Sequence, residues 1–372
     1  MKKNSSHCSK NVTFFISSIS GGGAEGVCIN IANTLSHRGW DVTIVVLNLI
    51  NIDYKDRIDK KVKLISLDVS HARYSFFKIR RLIQNKNIKK VVAFDYVMAV
   101  ILSIINKSFL KKKFYLILRN INTLSKKKIQ KQSIKQMFIY KLLSWTLFQV
   151  DFIVNQCKEM QDDLLKIYTI EEKKINYIYN PVATNIEKIA NSGYTEDKEN
   201  YFLCIGRLET QKAFEYAIQS FSIFVKKVPG FKLKIVGKGS LENYLKRMAE
   251  KYGVADDVEF MGFQSNTIPF YQKARATLLT SHYEGFPNVL IESITLGTPV
   301  ISFNCKSGPD EIIEEHKNGY LVEYQNVEQF ALCMEKIVSE TINPKQVKTY
   351  AHKYFEETVI SQWEALLLKE NF

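Results

Sequence analysis

The 372-residue chain predicts an α/β protein of two parallel-sheet, Rossmann-like domains facing each other across a cleft. Three observations carry this. Short apolar runs alternate with helical patterns from end to end, the order found where a crossover helix returns the chain to a parallel strand. The alternation breaks once, in the polar stretch 187–200, and then restarts. Finally, 372 residues exceed what one core organises, and a 46% hydrophobic content is enough for two. In such sheets ligands lie at the carboxyl ends of the strands.

In the first half, strands are expected at 12–17, 42–47, 62–67, 90–94, 114–119, 152–154 and 175–179. Helices are expected at 24–37, 75–85, 96–105, 129–148 and 158–167, and Asn180-Pro181 closes the half. The polar stretch 187–200 reads as the linker. Beyond it, strands are expected at 201–205, 232–236, 258–261, 276–279, 300–303 and 320–322. Helices fall at 213–227, 240–251, 267–274, 288–296 and 309–315, and three more close the chain. The domains are bounded at 1–185 and 200–353, with 354–372 as a closing helix that packs back on the first domain.

Composition narrows the class. Cys8, Cys28, Cys157, Cys204, Cys305 and Cys333 show no Cys-x-x-Cys spacing and read as small buried hydrophobes of a reducing cytoplasm. Lys2, Lys3 and Lys10 precede the apolar run 12–19, which flows into glycines and reads as a first strand, not a signal peptide. The most membrane-like stretch, 91–105, is interrupted by Asp95 and falls short of the ~20 residues a span needs. No bilayer span is expected.

The charge is one-sided. Residues 1–180 hold 31 Lys+Arg against 13 Asp+Glu, so the whole net charge of +14 comes from the first half. The clusters are Lys60-Lys61-Lys63, Arg80-Arg81, Lys111-Lys112-Lys113 and Lys126-Lys127-Lys128, followed by Lys131, Lys135 and Lys141. No recognised nucleic-acid module accompanies them, so nucleic acid is not an expected partner. A basic face beside apolar residues such as Phe138, Ile139 and Leu142 fits an anionic membrane surface better, with a solvated lysine-rich face as the alternative.

The most informative segment is Glu284-Gly285-Phe286-Pro287-Asn288-Val289-Leu290-Ile291-Glu292. Pro287 suits a first helical turn, where its missing N–H costs nothing. Glu284 then lies in the loop before a helix, and Glu292 about two turns inside it. The free N–H groups of that first turn favour an anion such as a diphosphate, while the carboxylates suit sugar or ribose hydroxyls. Upstream, Arg207 and Lys212 in Gly206-Arg207-Leu208-Glu209-Thr210-Gln211-Lys212 stand at a strand end and a helix start, where both cations can converge on one diphosphate. Val236-Gly237-Lys238-Gly239 and Phe260-Met261-Gly262-Phe263 put glycine and an aromatic at two further strand ends, where a base could lie. In the first half, Gly21-Gly22-Gly23-Ala24-Glu25-Gly26 matches the dinucleotide fingerprint, but no acidic residue ends the second strand at Leu47-Asn48. What remains is a glycine loop whose backbone can approach a ligand closely.

Over nearly its whole length the chain resembles the retaining GT-B glycosyltransferases of glycosyltransferase family 4. The residues that carry the likeness run from Gly21-Gly22-Gly23-Ala24-Glu25 through Asn180-Pro181, Gly206-Arg207, Gln211-Lys212 and Gly237-Lys238-Gly239 to the Glu284 and Glu292 pair. They end with Leu296-Gly297-Thr298-Pro299-Val300 and Asn318-Gly319-Tyr320-Leu321-Val322. The resemblance implies an N-terminal acceptor domain and a C-terminal nucleotide-sugar donor domain. It assigns Arg207 and Lys212 to the donor diphosphate, Glu292 to the ribose hydroxyls and Glu284 to the donor sugar. Gly285, Phe286, Pro287 and Asn288 would line the diphosphate and sugar, Gly22 and Gly23 the donor, and Gly237 and Phe263 the nucleobase. Many members carry a histidine near the reacting centre; no histidine here matches it, and Arg119 is the acceptor-side candidate.

The chemistry expected is transfer of a hexose or N-acetylhexosamine, with front-face attack and the leaving phosphate taking the acceptor's proton. Negative charge builds on the departing diphosphate, so fixed cations and helix N–H groups stabilise the transition state. The sequence has no Asp-x-Asp, and Arg207 and Lys212 would do the work of a divalent ion. No metal or other cofactor is therefore expected. UDP is the expected nucleotide, with GDP as the alternative. The acceptor is expected to be a lipid-linked or lipopolysaccharide glycan, met at the cytoplasmic face of the inner membrane. A non-catalytic nucleotide-sugar binder and a sugar-nucleotide epimerase of similar build are the competing readings.

Overall fold

The computed structural model describes residues 10–50, 54–108, 113–121, 134–192, 197–340 and 342–369, with 134–140 as backbone alone. Of the basic clusters, Lys111, Lys112, Lys126, Lys127, Lys128 and Lys131 lie outside the described residues, as do the side chains of Lys135, Phe138 and Ile139. The chain forms two compact units, Met1–Pro181 with Glu356–Phe372, and Val182–Phe355.

The first unit holds strands β1 (Asn11–Phe15), β2 (Asp41–Val46), β3 (Lys63–Ser66), β4 (Lys90–Ala93), β5 (Tyr115–Arg119), β6 (Phe152–Asn155) and β7 (Ile175–Tyr177). They form a parallel sheet in the order β3-β2-β1-β4-β5-β6-β7. Successive strand residues point to opposite faces, and both faces are covered, which is why the strands read as mostly apolar runs. Phe14, Ile44, Val92 and Val154 pack on one side with the helix Gly23–His37 and the last helix, Glu356–Leu368. Phe15, Val45, Val91 and Leu118 pack on the other with Ile79, Ile83, Met98 and Leu102 of the helices Phe76–Lys86 and Tyr96–Ser108.

The last helix is locked to the first unit by Val359, Ile360 and Trp363 in that core. Its Glu364 accepts from Trp40 Nε1 at 2.8 Å and pairs with Arg38 at 2.8 Å.

The second unit holds β8 (Tyr201–Ile205), β9 (Lys232–Val236), β10 (Val258–Gly262), β11 (Ala276–Leu279), β12 (Val300–Phe303) and β13 (Gly319–Val322). Their order is β10-β9-β8-β11-β12-β13, again all parallel. Phe202, Cys204, Leu278 and Ile301 face Phe221, Phe224, Phe330 and Met334 of the helices Phe214–Lys227 and Val327–Ser339. Tyr201, Leu203 and Val236 face Ile186, Tyr271 and Leu296.

Two sequence expectations need correction. The stretch 187–200 is not simply a linker: Thr184–Asn191 is a helix, and the second unit already begins at Val182. Ile186 and Ala190, four apart on one helical face, are buried, while Asn185 and Lys188 supply the polar composition from the exposed side. The helix expected at 309–315 stops at Ile312, because Asn318 captures the chain there, donating to Ile312 O at 2.8 Å and accepting from Glu314 N at 2.8 Å.

Trp363 is the largest fully buried side chain, stacked on Phe94 with ring centroids 6.4 Å apart. Trp363→Ala is expected to lower stability by about 3–5 kcal/mol, the cost of emptying an aromatic site in a packed core. Urea unfolding of the full chain measures this; a loss under about 1 kcal/mol would mean the last helix is not held as described.

Candidate functional site

The carboxyl ends of β8, β9 and β11 build a polar site from the backbone outward. Gly206 follows β8 with φ +156°, and Gly237 follows β9 with φ +147°. A Cβ on Gly237 would sit 1.8 Å from Gly206 O, so only glycine lets the two strand ends approach this closely. Gly206 N donates to Val236 O at 3.0 Å and Gly237 N to Gly262 O at 2.8 Å, tying the ends of three strands together.

The loop after β8 is then stitched to the loop after β11. Gln211 Nε2 donates to Tyr283 O at 3.0 Å, His282 N to Gln211 O at 2.9 Å, and Thr280 Oγ1 to Lys212 O at 3.2 Å. These bonds place Lys212 Nζ 2.7 Å from Glu284 Oε1, as an ion pair whose side chains are 17% and 8% exposed. Ser281 Oγ donates to the same oxygen at 2.6 Å. Oε1 thus has both lone pairs engaged, and Oε2 carries no hydrogen bond among the described residues.

Arg207 differs from Lys212. Its side chain is exposed and, among the described residues, makes no hydrogen bond or ion pair. The neighbouring Glu209 is occupied elsewhere, accepting from Ser240 N at 3.0 Å and Ser240 Oγ at 2.9 Å. Arg207 is therefore available to an external anion, whereas Lys212 already has a carboxylate.

The helix after Glu284 runs Asn288–Thr295, with Pro287 at its N-cap, not inside its first turn. Glu292 is its fifth residue, so it lies about one turn in, not two. Tyr271 OH donates to Glu292 Oε2 at 2.8 Å. Burial, together with the adjacent carboxylate, holds that phenol well above its ordinary pKa, so it remains a neutral donor. Gly285 and Asn288 are half-buried around the turn, and Pro287 is buried. Phe286 is 5% exposed and packs on Tyr354 with ring centroids 5.6 Å apart. Phe263, just beyond β10, is 50% exposed, with Lys238 Nζ 5.9 Å from its ring centre.

Two groups expected at the site in the first unit are engaged within the fold. The glycine loop does not hold its backbone open: Gly21 N and Gly22 N donate to Glu25 Oε2 at 2.7 and 3.0 Å, and Ser18 Oγ donates to Oε1. Glu25 is the third residue of the helix that Gly23 begins, so the loop is closed by that helix's own capping. Arg119 is 1% exposed. It donates to Asn180 Oδ1 and to Ile178 O at 3.4 Å, and sits 5.3 Å above the Trp363 ring. Burial without a carboxylate pulls its pKa down to about 9.

Sequence reasoning passed over Ser281 and Tyr271, the hydroxyls on the two glutamates. Ser281 stands only three residues before Glu284, a spacing that could have drawn attention; nothing in the sequence singles out Tyr271. It also passed over a buried amide network of Asn120, Asn155, Gln156 and Asn180, in which Asn120 Nδ2 donates to Asn155 Oδ1 at 2.8 Å and Asn180 Nδ2 to Gln156 Oε1 at 3.1 Å.

Lys212→Ala leaves the Glu284 carboxylate buried without its cation, and is expected to cost about 3 kcal/mol of stability. Arg207→Ala, at an exposed position, is expected to stay within about 0.5 kcal/mol. Urea unfolding of both variants and of Lys212→Ala/Glu284→Gln checks this. The double variant is expected to recover most of the loss, and a Lys212→Ala variant as stable as the parent would refute the pairing.

Comparison with known proteins meets this geometry from outside. Residues 21–186 match the model of Glycosyltransferase Family 4, and residues 185–354 that of Glycosyl transferases group 1. An uncharacterized glycosyltransferase of Haemophilus influenzae is 25% identical over 96% of this chain and 100% of its own length. The amylovoran biosynthesis glycosyltransferase AmsD of Erwinia amylovora is 25% identical over 93% of this chain and 96% of its own. Among solved structures, Anabaena HepE in complex with UDP and glucose superposes with a TM-score of 0.76 at 18% identity, covering 97% of this chain and 99% of that one. The chain belongs to the GT-B glycosyltransferases, with a family 4 domain followed by a group 1 domain.

Proposed function

We propose that this glycosyltransferase moves a hexose or N-acetylhexosamine from UDP to a lipid-linked glycan acceptor in bacterial surface-polysaccharide biosynthesis, with retention at the anomeric carbon and without a metal. The carrying observation is the Glu284 carboxylate, held by Lys212 at 2.7 Å with one oxygen left over, in the loop that follows β11. A carboxylate so fixed accepts from a sugar hydroxyl. Arg207, exposed beside β8, takes the diphosphate. In the reaction the anomeric C–O bond to phosphate breaks, the acceptor oxygen bonds to that carbon on the same face, and the acceptor's proton passes to the leaving phosphate oxygen. The charge that develops there is met by Arg207 and by the N-terminus of the helix Asn288–Thr295. HepE with UDP and glucose supports the nucleotide, and AmsD supports the polysaccharide setting.

A panel of UDP- and GDP-sugars with a lipid-diphosphate sugar acceptor tests the reading, following released nucleotide and the anomeric configuration of the product. Inversion, or release of nucleotide with no glycosylated product, would overturn it. Arg207→Ala is expected to lower turnover by about two to three orders of magnitude, the scale of one lost oxyanion stabiliser. Activity is expected to survive excess EDTA; complete loss restored by Mg²⁺ or Mn²⁺ would place the diphosphate charge on a metal instead.

The same reading places the enzyme peripherally on the cytoplasmic face of the inner membrane, held through its basic first half. No helix among the described residues is long and apolar enough to cross a membrane. Flotation with anionic vesicles is expected at low salt and lost near 0.5 M salt, about three to four times physiological strength, because ions screen such contacts. Equal indifference to anionic and neutral vesicles at low salt would reduce the charge to a solubilising role.

A further inference from the structure

We propose that Ser281 and Tyr271 are the positioning residues of the two glutamates: each is a buried hydroxyl that engages one carboxylate oxygen and sets the direction in which the carboxylate meets the donor. This rests on the reading that Glu284 receives the donor sugar and Glu292 the ribose hydroxyls.

The two hydroxyls are built alike from different elements. Ser281 is fully buried, and its loop is fixed on both sides by Thr280 Oγ1 to Lys212 O at 3.2 Å and His282 N to Gln211 O at 2.9 Å. From there its Oγ lies 2.6 Å from Glu284 Oε1, the oxygen that also receives Lys212. An oxygen that accepts twice has nothing left for a substrate, so a donor hydroxyl is directed to Oε2. Without Ser281, Lys212 alone would hold Oε1, and a single ammonium allows the carboxylate to rotate about it, being a point charge and not a fork.

Tyr271 lies in the short helix Ile268–Lys273, with its ring buried among Tyr201, Leu203, Ile268 and Leu296. Its carbonyl accepts from Thr298 Oγ1 at 2.6 Å, so the residue is held at its main chain as well as by its ring. The phenol has little freedom to swing, and its 2.8 Å bond to Glu292 Oε2 fixes that side chain one turn inside the helix Asn288–Thr295. A buried hydroxyl needs a partner in any protein. Here both partners are the carboxylates that the donor is expected to use, and the phenol remains a neutral donor throughout the working pH range.

The test uses the full chain and whichever of UDP and GDP the parent binds, each beside its 2′,3′-dideoxy analogue, with affinities from calorimetry. The parent is expected to favour the natural nucleotide. Tyr271→Phe removes one oxygen and keeps the ring; it is expected to weaken the natural nucleotide about tenfold while leaving the dideoxy analogue unchanged, so the preference collapses. A merely structural phenol would weaken both alike, and a preserved preference in a folded Tyr271→Phe variant overturns the proposal at Glu292. A parent that does not distinguish the pair overturns the ribose reading, and this arm with it.

Ser281→Ala is the independent arm. It is expected to lower kcat/KM for the nucleotide-sugar about tenfold, with free nucleotide bound as before and Ser281→Thr restoring part of the loss. Unchanged kcat/KM, or an equal loss of free-nucleotide affinity, overturns the proposal at Glu284.

Discussion

The arrangement at the ends of β8 and β11 depends on one ion pair, Lys212 with Glu284. Two charges largely removed from water are tolerable only with good geometry and with further hydrogen bonds on the remaining positions. The surrounding chain supplies both. Ser281 takes the second lone pair of the paired oxygen, and three bonds between the two loops fix the backbone that carries each charge. Even Gly206 belongs to this constraint, since a Cβ there would come 2.9 Å from Lys212 Cε and displace the lysine stem. The pair makes the local fold and the site one object: what holds the loops together also presents Glu284.

The two cations at the β8 end are consequently not equivalent, although the sequence shows them as neighbours in one motif. Lys212 is balanced before any ligand arrives, and its net field on an incoming diphosphate is reduced by Glu284. Arg207 is exposed, has among the described residues only the through-space attraction of Glu209 beside it, and is multiply donating, the better group for capturing a phosphate. A donor that reaches both would meet Arg207 as attraction, and Lys212 as a competition between phosphate and carboxylate for one ammonium. On the proposed donor reading, any contact of a phosphate with Lys212 would be coupled to the carboxylate of Glu284 through their 2.7 Å ion pair.

Legibility in the sequence follows the physics of each feature. The strands were readable because both sheets are covered on both faces, which makes β8 an unbroken apolar run and β1, β4 and β12 mostly apolar ones. The glycines at the ends of β8 and β9 were readable because backbone sterics confine that residue type to such places. Partnership was not readable. Nothing in the order of residues says that Glu25 folds back on the N–H groups of Gly21 and Gly22, or that Arg119 points inward. Both follow from local geometry three-dimensional in origin, a capping turn in one case and the returning helix Glu356–Leu368 in the other. The helix Thr184–Asn191 was missed for a related reason: only two of its eight residues are buried, so its composition is that of a linker.

Arg119 shows how a charge is buried when, among the described residues, no carboxylate hydrogen-bonds to it. Its guanidinium rests on the carbonyl of Ile178, the amide oxygen of Asn180 and the face of Trp363, all neutral partners. Such a site satisfies donors without repaying the full loss of hydration, which is why its pKa falls to about 9 while the group keeps its charge at neutral pH. The amides that hold it are themselves held: Asn180 bonds to Gln156, and Gln156 reaches Asn120 O at 3.3 Å. Chains of this kind are worth having only when complete, since one missing member leaves its neighbours unsatisfied in a medium that cannot hydrate them. The last helix completes this one by laying Trp363 beneath the guanidinium. The helix Glu356–Leu368 is thereby part of the first unit's polar interior as well as its apolar core.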